Sequence, residues 1–170
     1  MVSNIENLLG GMNVPNILLT RIDNRLIHGQ VGMTWSNHLG ANLVVVANDK
    51  VARDEVQQDL MDMAVSDVVG TRYFTIQETI EKINYAADDQ LIFLVVRNPQ
   101  DVVKLVEGHV PITKVNIGNM HFSEGKEQIT STVSVDEADK QAFRRLRELG
   151  VELEIRRVPD EKSTDILKFL

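Results

Sequence analysis

The sequence predicts a single α/β domain with a mainly parallel central β-sheet flanked by helices on both faces. Three observations carry that prediction. Short apolar runs alternate with helical patterns along the chain, giving five or more strands in the order a parallel sheet with crossover helices requires. Residues 43–46 and 91–96 are apolar without interruption, as strands buried on both faces are. No internal repeat, low-complexity segment or linker divides the chain.

The elements follow in order. Residues 17–22 mix apolar side chains on both faces and read as the first strand. Val31, Trp35 and Leu39, spaced by four, predict a helix with one apolar stripe. Gly40 is its terminator and His38 faces its dipole from the last turn. Trp35 is expected in the core, where it would hold this helix.

Residues 43–46 form the second strand, followed by the polar turn Ala47-Asn48-Asp49 and a helix expected over 51–64. Val51, Val56, Leu60, Met63 and Ala64 would be that helix's apolar face, with Met61 and Met63 filling core gaps. Asn48 and Asp49 have two readings. They cap this helix, or they line a crevice with His28 if the first two strands are neighbours.

A third strand is expected over 72–76, with Thr75 and Glu78 as a capping box for a helix reaching about residue 86. After the strand at 91–96, Asn98 and Pro99 supply an N-cap and a first-turn proline. That helix stops at Gly108, leaving His109 against its dipole. Residues 114–117 form a strand ending in Gly118-Asn119-Met120-His121. This second glycine-and-histidine loop lines the same crevice if its strand lies near the first. Residues 128–133 read as an edge strand, and Ser134 with Glu137 as a capping box for a helix to Leu149. Gly150 ends it, residues 151–155 read as an exposed strand, and residues 163–169 as a short terminal helix after Pro159.

A net charge of −7 argues against nucleic acid as the principal ligand. The pairs Arg144-Arg145 and Arg156-Arg157 read as a solvated helix face and an exposed strand end, with docking of an acidic partner as the alternative. Without cysteine, neither disulfides nor thiolate metal sites arise. No familiar metal-ligand spacing occurs, and neither metal nor cofactor is expected. No apolar run approaches the ~20 residues that span a bilayer. Any membrane role would therefore use docking to a partner, not direct insertion. Residues 1–12 lack the features of a signal peptide. They read as a leader or extension before a domain over 13–170, with Met12 as an alternative start.

The densest chemistry lies in Arg21-Ile22-Asp23-Asn24-Arg25-Leu26-Ile27-His28-Gly29-Gln30-Val31, between the first strand and the first helix. The crevice outside the carboxyl ends of strands is the usual ligand site of open α/β sheets. Arg21 and Asp23 share strand parity, so both can point to one face. Gly29 removes a side chain where a phosphate or a partner's backbone would approach. A histidine carrying a phosphoryl group is the sharp reading, and a surface or capping histidine the plain one. On the sharp reading His28 is the nucleophile. Arg25 and the N–H groups near Gly29 and Gln30 would hold phosphoryl oxygens. Asp23 would orient the imidazole or hold an arginine. Arg21 would bind phosphate or serve as a structural partner of Asp23. His121 is the second candidate histidine.

This block, followed by Trp35, resembles the signature of the enzyme IIB components of the mannose/fructose/sorbose family. These belong to the phosphoenolpyruvate-dependent sugar phosphotransferase system. Val46-Ala47-Asn48-Asp49-Lys50-Val51-Ala52 and Leu60-Met61-Asp62-Met63-Ala64-Val65 resemble the same family, in the same order. The resemblance implies the α/β layout above and a phosphohistidine at His28, formed on Nδ1. It implies enzyme IIA as phosphoryl donor and a sugar held by the membrane components IIC and IID as acceptor. The sugar class would be mannose, fructose, sorbose or an N-acetylated amino sugar, chosen by the membrane partners. The protein would work in the cytoplasm beside the transporter, as a monomer or a homodimer.

Two other functions compete. A histidine phosphatase would carry an Arg-His-Gly triplet, whereas Ile27 precedes His28. A regulatory phosphate-binding module would keep the fold without transferring the group. A dinucleotide enzyme is disfavoured, because no G-x-G-x-x-G follows a strand.

Overall fold

The computed structural model describes residues 13–170. The expected leader at 1–12 lies outside the described residues. Strands β1 (Asn16–Asp23), β2 (Leu43–Ala47), β3 (Gly70–Phe74), β4 (Leu91–Val96), β5 (Lys114–Asn119) and β8 (Glu152–Ile155) are mutually parallel. The short β9 (Thr164–Asp165) closes the edge antiparallel to β8, giving the order β3-β2-β4-β1-β5-β8-β9. A separate hairpin joins β6 (Glu127–Gln128) to β7 (Ser134–Val135).

Period-two alternation sorts the strand side chains into two cores. Leu43, Val45, Ile92, Leu94 and Val96 face one side, and Val44, Val46, Phe93 and Val95 the other. Helices α3 (Ile76–Lys82), α4 (Pro99–Glu107) and α5 (Glu137–Glu148) cover the first face through Ile76, Val102, Leu105, Phe143 and Leu146. Helices α1 (Val31–Leu39) and α2 (Glu55–Asp62) cover the second through Trp35 and Met61. Right-handed crossovers demand this split, since the chain moves one way from β1 to β3 and the other way from β3 onward.

Most elements lie where the sequence puts them. Gly40 ends α1, Thr75 and Glu78 form a reciprocal capping box, and Asn98 caps α4 with Pro99 in its first turn. Several expectations are corrected. The helix expected over 51–64 is a 3-10 turn, Val51–Arg53, followed by α2, which Asp54 caps. Its expected apolar face is largely in solvent: Val56, Leu60 and Met63 are exposed, while Met61 alone of α2 is buried. The edge strand expected over 128–133 is the hairpin loop between β6 and β7. Asp136 and Asp139, not Ser134 and Glu137, form the capping box of α5. Ser134 is buried in β7 instead.

Residues 151–155 are not exposed as a unit, because β9 flanks β8. Leu153 and Ile155 are buried, and buried Glu154 pairs with Lys114 and Arg156. The last helix is a 3-10 turn, Ile166–Phe169, after β9. His109, rather than Gly108, takes the left-handed conformation after α4, with φ 67°. Arg144 and Arg145 do lie on a solvated helix face, paired to Glu137, Glu107 and Glu148.

Candidate active site

The carboxyl end of β1 is the centre of the site. Its neighbours are β4 and β5, so the loops after β1 and β5 are adjacent. The β1–β5 register slips at this point: Ile22 faces Ile117 but Asp23 faces Asn119. β5 thus spends Gly118 as an extra residue, a bulge of the kind that re-aims side chains beside functional sites. Asn119 is thereby turned onto Asp23, and its Nδ2 donates to Asp23 Oδ2 at 2.9 Å.

Asp23 is fully buried, and every contact it makes shapes the site. Oδ1 accepts the backbone N–H of Arg25 at 3.0 Å, and Leu26 N–H donates to the Asp23 carbonyl at 2.8 Å. Together these bonds wind the chain into a tight turn in which Leu26 adopts φ 59°. Oδ2 lies 3.1 Å from His28 Nε2. The ring is therefore held by its Nε2 edge, and its side chain is 20% exposed. Asp23 Oδ2 also lies 3.4 Å from Arg21.

Arg21 is 2% exposed, which makes it a buried brace in contact with Asp23 rather than a surface cation. Its guanidinium donates to Asn116 Oδ1 at 2.5 Å and to the Arg156 carbonyl at 3.1 Å. Burial pushes its pKa down, and the Asp23 carboxylate opposes that shift. The guanidinium lies over the Trp35 ring at 5.3 Å, as does that of Arg156. Trp35 is fully buried and donates Nε1–H to the Arg157 carbonyl at 2.9 Å. Arg156 is thus no solvated strand end. It clamps, with Arg21, the residue that fixes α1 behind His28.

Gly118 makes this bracing feasible, because a Cβ there would fall 2.0–2.4 Å from the Arg21 guanidinium atoms. Gly118→Ala is expected to displace Arg21 from Asn116 and Asp23 and to cost about 1–3 kcal/mol. Urea unfolding of the variant beside the wild type checks this.

Arg25 is exposed and forms no ion pair among the described residues. Its side chain borders a polar cavity of about 360 Å³ that also touches Asn119, His121, Gln128 and Thr132. Gly29 and Gln30 are exposed, and Gly29 has φ 50°, which glycine adopts without strain. α1 begins with neither a side-chain cap nor an acidic residue in its first turn. Its opening N–H groups and positive dipole end are thus left for an anion.

His121 Nδ1 is 3.0 Å from Asn24 Oδ1, so the second histidine loop does touch the first. The structure does not bring Asn48 and Asp49 to His28, because β4 separates β2 from β1. Asn48 Oδ1 accepts from Lys50 and Val51 N–H, capping the 3-10 turn. Asp49 Oδ1 accepts from Ile76 N–H at the start of α3, one strand beyond the helix it was expected to cap. From sequence, Asn119 is read only as part of a crevice loop and Arg156 only as part of a basic pair, and Asn116 carries no role at all. A polar Asn116 inside the otherwise apolar strand pattern Val115-Asn116-Ile117 was the available signal.

The arrangement can do one thing well. A carboxylate accepts from Nε2–H and so fixes the tautomer whose Nδ1 lone pair is free, at the tip of a loop that a macromolecule can reach.

The chain is similar to proteins of one known family. A family model described as the PTS system sorbose subfamily IIB component matches residues 17–170. The N-acetylgalactosamine-specific phosphotransferase enzyme IIB component 2 of Escherichia coli is 51% identical over 157 residues, covering 92% of this chain and 100% of that protein. The mannose-specific EIIAB component of Escherichia coli is 40% identical over 155 residues, covering 89% of this chain and 47% of that longer protein. The crystal structure of an N-acetyl-galactosamine IIB component from Streptococcus pyogenes superposes with a TM-score of 0.89 at 42% identity, covering 94% of this chain and 100% of that one.

Proposed function

Because the chain belongs to the sorbose-subfamily IIB components of the sugar phosphotransferase system, which are phosphotransferases, we propose that His28 is its phosphoryl carrier. Nδ1 attacks the phosphorus atom of phosphorylated enzyme IIA, and the bond to the donor atom breaks as the new P–N bond forms. A hydroxyl oxygen of a sugar held by the membrane components IIC and IID then attacks the same phosphorus. The P–N electron pair returns to Nδ1, and the hydroxyl proton leaves with the imidazole or water. No helix among the described residues is long and apolar enough to cross a membrane. On this reading a membrane partner brings the acceptor.

The single observation that carries this reading is the Asp23–His28 contact at 3.1 Å, which occupies Nε2 and leaves Nδ1 as the nucleophile. As the ring takes the phosphoryl group it becomes cationic, and the buried carboxylate stabilises that charge. Arg25 and the N–H groups near Gly29 and Gln30 offset the charge on the phosphoryl oxygens. His121 stands ready through Asn24 to order the loop. Higher identity to the relatives named for N-acetylgalactosamine than to those named for mannose or sorbose favours an N-acetylated amino sugar as acceptor.

Incubation with phosphoenolpyruvate, the general transfer proteins and enzyme IIA tests the reading. One acid-labile phosphoryl group per chain is expected by intact-protein mass spectrometry, and NMR of the imidazole nitrogens should place it on Nδ1. Steady release of inorganic phosphate would favour a phosphatase, and no uptake a regulatory module.

A further inference from the structure

Helix α2 exposes the side chains that a globular helix ordinarily buries. Val56, Leu60 and Met63 form one stripe at spacings of four and three, and they are 69%, 57% and 82% exposed. Val68, in the turn beyond, is 86% exposed. A contiguous apolar surface of this kind marks an interaction site.

The charge within this segment is one-sided, with the exposed Arg53 and Arg72 flanking it. Between residues 54 and 71 the chain carries Asp54, Glu55, Asp59, Asp62 and Asp67 and no basic residue. None of the five forms an ion pair among the described residues. Asp54 caps α2, and Asp62 accepts from the Thr71 and Tyr73 hydroxyls, but neither bond neutralises the charge. The patch is therefore apolar at its centre and acidic at its rim.

It also abuts the site. The Ala64 carbonyl lies 3.5 Å, and Ile27 Cγ2 2.6 Å, from the position a Cβ on Gly32 would take. The end of α2, the first turn of α1 and the residue before His28 are thus packed together. The segment that follows α2 is a neighbour of the His28 loop.

We propose that this face of α2 docks the cytoplasmic surface of the membrane component that holds the sugar, an inference that rests on the carrier function above. Charge complementarity selects that occupant. Cytoplasmic loops of membrane proteins carry an excess of Lys and Arg, which matches an acidic rim. The lipid surface itself is anionic and is repelled by the same rim. The phosphoryl donor has no comparable charge bias dictated by its location.

Two variants test this, Asp59→Lys and the double substitution Leu60→Ser with Met63→Ser. All three residues are exposed and outside the phosphoryl site, and thermal unfolding should match the wild type. Two rates are read: phosphorylation of the variant by enzyme IIA, followed by mass spectrometry, and transfer from the phosphorylated variant to sugar in membrane vesicles carrying IIC and IID. The first should be unchanged. In the second, the concentration giving half-maximal rate should rise by at least about tenfold. The Asp59→Lys effect should shrink as salt is raised. Unchanged transfer to sugar, or loss of phosphorylation by IIA instead, overturns the proposal. A wild type that takes up no phosphoryl group at all overturns the carrier function beneath it, an outcome distinct from either.

Discussion

His28→Ala is expected to take up no phosphoryl group from enzyme IIA under conditions that fully phosphorylate the wild type. The reason is local. The loop after β1 presents a single imidazole held by one nitrogen against a buried carboxylate. Among the described residues the one other imidazole hydrogen-bonded to that loop, His121, is exposed and faces Asn24 rather than an acid. Without a carboxylate to fix its tautomer, His121 lacks the feature on which the role proposed for His28 rests. His121→Ala is accordingly expected to retain phosphorylation, slowed by less than about tenfold, since it removes a neighbour of the loop and not the acceptor atom. Stability should separate the variants from any folding artefact. His28 is only 20% exposed and its Nε2 faces the buried Asp23 carboxylate, so its truncation should cost about 1–3 kcal/mol, which urea unfolding reads separately from phosphorylation. Intact-protein mass spectra of the three proteins after identical incubation decide the matter. A phosphoryl group persisting on His28→Ala would move the site, and the His121 variant would then show whether it moved there.

The parts of this molecule that were legible in its sequence are those with local causes. The span of α1 follows from the spacing of Val31, Trp35 and Leu39 and from Gly40. β4 and the cap of α4 follow from an uninterrupted apolar run meeting Asn98-Pro99. The His28 loop was legible because its reactive side chains are contiguous. What was missed depends on pairs far apart in the chain. Arg21 finds Asn116, 95 residues away, and the Arg156 carbonyl, 135 away. No pattern in either segment announces the other. Asn48 and Asp49 were misplaced for a related reason, because strand order is not a local property and β4 inserts between β2 and β1. For α5, Ser134-x-x-Glu137 and Asp136-x-x-Asp139 are competing capping patterns. Hairpin pairing of Ser134 with Gln128 removed the first. The apolar period of α2 was real, but it describes an exposed face rather than one turned to the core.

Substitution of Asp23 is expected to do the second largest damage, and to two properties at once. Asp23→Ala leaves the Arg21 guanidinium, 2% exposed, without its carboxylate, and strips acceptors from His28 Nε2, Asn119 Nδ2 and Arg25 N–H. Breaking a buried pair on one side costs about 3–5 kcal/mol, because the remaining charge stays buried and uncompensated. Asp23→Asn should cost less. Its amide oxygen can still accept from one or two of the same donors, while the charge opposite Arg21 is lost. Stability and transfer then part company. The amide fills the site almost as the carboxylate does, yet it cannot stabilise the imidazolium that forms as Nδ1 takes the phosphoryl group, and it can present an N–H that favours the wrong tautomer. A carboxylate in this relation to a reacting histidine is worth about 10⁴ in rate where it has been replaced by its amide in a serine protease. A slowing of about 10²–10⁴ is expected here. Urea unfolding should rank the proteins wild type, Asn, Ala. Single-turnover phosphorylation, measured where each is folded, should instead group Asn with Ala. If Asp23→Asn transfers at the wild-type rate, the carboxylate serves only to neutralise Arg21, and the turn through Leu26 suffices to place the imidazole.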